Sequence, residues 1–166
     1  MALVNETYFK FPIDIDYSKA TVVEKLGYIS DYCEDFYLKK LLGNIEYYKY
    51  VDDKALEVHD TRYTNFLTAA NFTYELKTYK NDIKQMIAYF IYFDYVQESA
   101  AFNTPIGEFS SNVENSTKVI PSGKLVRAWN SAVDLYNIAY LYLLNNIDLF
   151  PDLENEEIEK INVWGI

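Results

Sequence analysis

Cysteine, histidine and arginine are scarce in this sequence: one, one and two among 166 residues. A single cysteine excludes an intramolecular disulfide, and a single histidine excludes a His-rich metal cluster. Two arginines in a chain of net charge −10 argue against sequence-specific nucleic-acid binding, which depends on arginine forks and a basic face. Five glycines are present and never cluster, so no phosphate-cradling loop can be drawn. The longest apolar stretch, Met86–Phe93, is far short of a membrane span. Met1–Lys10 lacks the basic start and apolar run of a signal peptide. These absences lead us to expect a soluble acidic domain made in the cytoplasm, with no membrane partner.

Aromatic residues are abundant instead: 17 Tyr, 10 Phe and 2 Trp. Tyrosine joins a large apolar ring to a hydroxyl that must find water or a partner. It therefore suits surfaces that alternate between wet and buried, as subunit contacts do. The other reading is that tyrosine replaces leucine in a somewhat polar core.

Glycine and proline divide the chain. Residues 1–17 read as an N-terminal arm, with Phe9, Phe11 and Pro12 followed by the alternating Ile13-Asp14-Ile15-Asp16. Ser18 is placed to cap a helix running to about Leu42, with Gly43 as its stop. Its apolar stripe is Val22, Leu26, Ile29, Cys33, Phe36, Tyr37 and Leu41. Cys33 reads as a small core residue, because nothing beside it would lower its pKa. A short helix covers Glu46–Val51, and residues 55–76 suggest one or two further short helices. Ile83–Gln97 is a helix whose stretch Met86–Val96 is apolar all round except at Asp94, so its own domain or a neighbouring subunit must cover it. Residues 101–122 keep no helical period and read as a long structured loop. The apolar Phe102, Ile106, Phe109 and Val113 of that loop are expected at a contact with a neighbouring subunit. A second long helix runs from about Pro121 to Ile147, with Trp129, Ala132, Val133, Tyr136, Ala139, Tyr140 and Leu143 in one stripe. Residues 18–150 thus form a helical domain. Residues 151–166 form an acidic spacer and a docking tail in which Val163, Trp164 and Ile166 carry the apolar contact. The expected fold is all-α: a bundle of long helices with a long structured loop and extended N- and C-terminal arms.

No catalytic grouping emerges. His59 sits beside Asp60, but adjacent helical residues do not face each other and no nucleophile motif accompanies them. Carboxylate pairs such as Asp14/Asp16 and Glu156/Glu157 lack calcium-loop spacing and read as a solvated acidic face. Asp94 is either a buried acid paired with a lysine or tyrosine, or the point where its helix surfaces. One local charge reversal stands out: residues 115–133 hold Lys118, Lys124 and Arg127 and no acid. Such a spot can contact an acidic partner surface or a backbone phosphate. It can equally be a chance gap between acids. No enzymatic activity, cofactor or metal is expected.

The run Ile83–Val96 is followed by Phe102-Asn103-Thr104-Pro105-Ile106-Gly107, then Glu114-Asn115-Ser116 and a long Tyr- and Asn-rich helix. With Leu41-Leu42-Gly43 at the end of the first long helix, this pattern over about residues 20–147 resembles the head–tail connector (adaptor) proteins of tailed bacteriophages, including crAss-like phages. Two features depart from the family pattern: Asp94 stands where a base is more usual, and the acidic segment after Pro151 has no counterpart. The resemblance implies a structural virion protein, made in the host cytoplasm and located at the neck. There it would form a homo-oligomeric, dodecameric ring between the portal protein and the next neck or tail protein, extending the DNA channel with only non-specific proximity to DNA. A negative lining suits that role, since a basic one would bind each passing phosphate. The alternative reading is an acidic interaction module, an inhibitor or immunity-like protein that occupies a basic site on a partner.

Overall fold

The computed structural model describes residues 3–104, 107–110, 112–113, 116–117 and 122–161. Five α-helices occur among them: α1 (Ala20–Leu42), α2 (Asn44–Lys54), α3 (Thr61–Leu67), α4 (Ile83–Ala100) and α5 (Ser122–Asn145). Three antiparallel pairs accompany the helices: β1 (Ala70–Tyr74) with β2 (Lys77–Asn81), β3 (Ala101–Thr104) with β4 (Gly107–Ser110), and β5 (Asn112–Val113) with β6 (Ser116–Thr117).

The all-α expectation is therefore overturned: the fold is mostly helical but mixed α/β. Two parts of the chain depart from that expectation. The first is the β1–β2 hairpin, whose strand β1 falls within residues 55–76, read as short helices. Its cross-strand pair Phe72 and Tyr79 stack at 5.7 Å, and Phe72 meets Tyr142 of α5 edge-on at 5.4 Å. The turn between the strands is Glu75-Leu76, both at positive φ (46° and 66°). A two-residue hairpin turn of this kind normally advertises itself with Asn-Gly. Neither residue does so here. The second is the segment expected to be a long loop, where residues 101–104 and 107–110 pair in register.

The core forms around α4, whose Ile83, Met86, Ile87 and Phe90 are fully buried. This chain alone covers it, with α1 on one side, α5 on another and the N-terminal arm closing a gap. Tyr37 of α1 stacks on Phe90 at 3.6 Å, and Trp129 of α5 meets the same ring edge-on at 5.4 Å. Helix α1 begins at Ala20 with Lys19 rather than Ser18 at its N-cap, and Ser18 instead donates its amide to the Asp16 carboxylate at 2.9 Å. In the arm, Phe9 and Ile13 enter the core, while Phe11 stands in solvent.

Two further features fix the rest of the chain. Buried Glu46 of α2 accepts a 2.7 Å hydrogen bond from Tyr63 OH and lies 3.1 Å from the Arg62 guanidinium. Arg62 also donates to the Leu149 carbonyl at 2.7 Å, so α2, α3 and the turn after α5 share one network. Residues 151–161, read from the sequence as an outward-reaching spacer, instead run along α1 and α5 as a strap. The Glu156 amide bonds the Lys40 carbonyl (2.8 Å), Tyr136 OH bonds the Glu156 carbonyl (2.6 Å) and Trp129 Nε1 bonds the Glu159 carbonyl (2.8 Å). Asn130 clamps Ile161 through both its amide (2.9 Å) and its carbonyl (3.0 Å). Helical carbonyls and side-chain donors, rather than the segment's own propensity, hold this acidic stretch in place.

Candidate assembly surface

Helix α1 buries Leu26, Ile29, Cys33, Tyr37 and Leu41, so its opposite face must carry whatever lies between them. That face carries rings. Tyr28, Tyr32 and Phe36, spaced four apart, are 72%, 58% and 39% exposed. Tyr32 and Phe36 stack at 5.5 Å, which holds the ridge as one surface. Helix α2 also exposes apolar side chains, Ile45, Tyr48 and Val51, and Lys39 Nζ of α1 lies 5.4 Å from the Tyr48 ring centre. Contiguous exposed apolar surface of this kind marks interaction sites more often than chance exposure does.

The bases beside the ridge are already engaged. Lys25 pairs with Glu98 at 3.5 Å, and Lys40 pairs with Glu156 of the strap while sitting 5.2 Å above the Phe36 ring. Asp35 accepts from Tyr47 OH at 2.7 Å. Asp31, exposed between Tyr28 and Tyr32, enters no ion pair among the described residues. The ridge is thus aromatic with an unneutralised acid.

Behind it, a groove of about 520 Å³ opens between α1 and α4, with Tyr28, Tyr32, Asp94 and Glu98 in its walls. Asp94 is partly buried and accepts from the Cys33 thiol at 3.2 Å, rather than pairing with a lysine or tyrosine. Burial pushes the Asp94 carboxyl above its ordinary range, and Glu98 adds to this, while the Cys33 hydrogen bond works against it. Burial likewise pushes the Cys33 thiol up, with Asp94 reinforcing the shift. A thiol so held is a poor nucleophile, and Cys33 acts as a core residue.

The basic spot read from the sequence lies elsewhere. Lys124 and Arg127, on the first turns of α5, face the N-terminal arm across a cleft of about 670 Å³. Phe11 (88% exposed) and Tyr89 supply its aromatic walls. Lys124 Nζ sits 5.2 Å from the Tyr92 ring centre. Asp134 also lines the cleft but pairs with Lys160 at 2.6 Å, so the cleft keeps its positive sign.

Other residues singled out in the sequence fall apart from these surfaces. Phe102 and Phe109 are register partners in β3–β4, and Val113 is the partner of Ser116 in β5–β6. Ile106, Lys118, Val163, Trp164 and Ile166 lie outside the described residues. His59 Nδ1 lies 3.0 Å from the Asp53 carbonyl, and Asp53 accepts the Asp60 amide at 2.7 Å, stitching the end of α2 to the start of α3. Among the described residues no group of three or more His, Cys, Asp or Glu is placed to hold a metal, and no helix is long and apolar enough to cross a membrane. The α1 ridge escaped the sequence reading, which placed Phe36 in the buried stripe. Its signal was present as aromatics at positions 28, 32 and 36. Comparison of the chain with protein-family models, with curated proteins and with solved structures gives no match.

Proposed function

We propose that this chain is a structural subunit that assembles with copies of itself into a ring at the neck of a tailed bacteriophage, joining head to tail. The observation that carries the reading is the exposed ridge of Tyr28, Tyr32 and Phe36 on one face of α1, with Tyr32 and Phe36 stacked. A monomer rarely maintains such a surface without a use for it. The connector-like pattern over residues 20–147 supplies the setting, and the acidic charge of the chain suits a channel through which DNA slides. The portal protein and the next neck protein are the partners this reading requires. The partner contacts, not a reaction, are the protein's work. Deleting the gene from its phage tests this: DNA-filled heads and free, unjoined tails should accumulate. Normal yields of intact infectious particles would overturn the reading.

A further inference from the structure

A ring needs a heterologous contact, in which one surface of each copy meets a different surface of the next. Two surfaces on this molecule are complementary. One is the α1 ridge, aromatic and carrying Asp31 without a neutralising base among the described residues. The other is the arm–α5 cleft, aromatic through Phe11 and Tyr89 and cationic through Lys124 and Arg127. Neither cation is in an ion pair among the described residues, and the acid of the cleft, Asp134, is held by Lys160. In a chain with 25 acids and 15 bases, a cleft of net positive sign is an exception that calls for an acidic occupant.

The two surfaces also lie on different sides of the fold. Asp94 backs the ridge and Tyr89 lines the cleft, both on α4. Five residues at roughly 100° each separate them by about 140° around that helix. A contact between ridge and cleft therefore cannot close on itself as a two-fold dimer. It propagates from copy to copy.

We infer that α1 of one copy seats in the arm–α5 cleft of the next, with Tyr28 and Tyr32 against Phe11 and Tyr89, and Asp31 against Arg127. This is helix-in-groove recognition, in which ring contacts supply affinity and the charge pair sets register. It rests on the assembly reading above and adds the two faces that meet. The chemistry of the occupant is that of this chain's own α1.

Charge exchange tests it on the full-length protein. Asp31 and Arg127 are both exposed, so D31K and R127E should fold as the parent does. Oligomerisation is followed by sedimentation velocity and mass photometry at low and moderate salt. The parent should oligomerise with rising concentration, and each single variant should assemble at least tenfold more weakly. A one-to-one mixture of the two variants should recover assembly. The lysine introduced in D31K then meets the glutamate introduced in R127E, while the parental pair forms at the alternate contact. Salt should weaken assembly of the parent and of the mixture, and should narrow the gap between the parent and each single variant by screening the like-charge repulsion. A parent that stays monomeric up to its solubility limit, single variants that assemble like the parent, or a mixture that fails to recover would each overturn the contact. The connector reading fails separately, by the gene deletion above, and survives if the chain oligomerises through other faces.

Discussion

Gly43 joins α1 to α2, and replacing it with alanine should damage more than the junction. Its φ of 78° and ψ of 169° lie in a region of backbone space that is essentially restricted to glycine. Holding an alanine there costs about 1–3 kcal/mol. The added Cβ would also sit 2.6 Å from Glu154 Cβ, 2.7 Å from its carbonyl oxygen and 2.9 Å from its nitrogen. Two of these atoms are backbone, so no side-chain rotation relieves the clash, and the strap must lift. Lifting it breaks the Glu154 amide bond to the Leu42 carbonyl (3.3 Å) and the Glu156 amide bond to the Lys40 carbonyl (2.8 Å). At about 0.5–1.5 kcal/mol each, these add roughly 1–3 kcal/mol. The expected loss for G43A is thus about 2–6 kcal/mol, a large share of the roughly 5–15 kcal/mol a domain possesses. Urea denaturation followed by circular dichroism measures it, and limited proteolysis within residues 151–161 reports whether the strap has left its bed. A loss under about 0.5 kcal/mol, typical of a neutral surface change, with the strap still protected, would refute the reasoning.

Two further substitutions probe separate parts of the molecule. Asp94 has a folded pKa raised above its ordinary value, chiefly by burial, so the folded state binds its proton more tightly than the unfolded state does. Its charge therefore destabilises the fold above the raised pKa, and the penalty disappears as pH falls below the ordinary carboxyl range. D94N should accordingly raise the melting temperature at neutral pH, with the difference from the parent vanishing in acid; thermal melts across pH measure both. In the β1–β2 turn, replacing Glu75-Leu76 with Asn-Gly puts at positive φ two residues that adopt it readily. The hairpin should gain about 1 kcal/mol, read as roughly fivefold slower hydrogen exchange in residues 70–81.

The helices were legible because their signals are local and repeated. The α4 run from Met86 to Phe93 could only be a covered helix, and the stripe from Trp129 to Leu143 could only be the inner face of a long one. Gly43 announced the end of α1 for the reason that now makes it irreplaceable. The hairpin was illegible because its turn breaks the residue preferences by which such turns are recognised, and its stability comes from Tyr79 stacking on Phe72 and Phe72 packing on Tyr142. Tertiary contact there overrides local preference. The strap was illegible for a related reason: an acidic stretch has no pattern of its own, and its order comes from Lys40, Trp129, Asn130 and Tyr136, far away in sequence. The candidate surface was half legible. Tyrosine abundance pointed to contact surfaces and the charge gap picked out Lys124 and Arg127, but which aromatics face outward depended on the rotation of α1 about its axis. Cys33 and Tyr37 fix that rotation by burial, and Phe36 consequently turns to solvent.

The central claim, assembly into a neck ring through the α1 ridge, is tested most directly by a reconstruction of the neck from purified virions at a resolution that resolves side chains. Copies of this chain should encircle the channel below the portal, with Tyr28, Tyr32 and Phe36 of each copy covered by the next. A neck fully accounted for by other proteins, or a ring of this chain in which the three aromatics face bulk water, would contradict it.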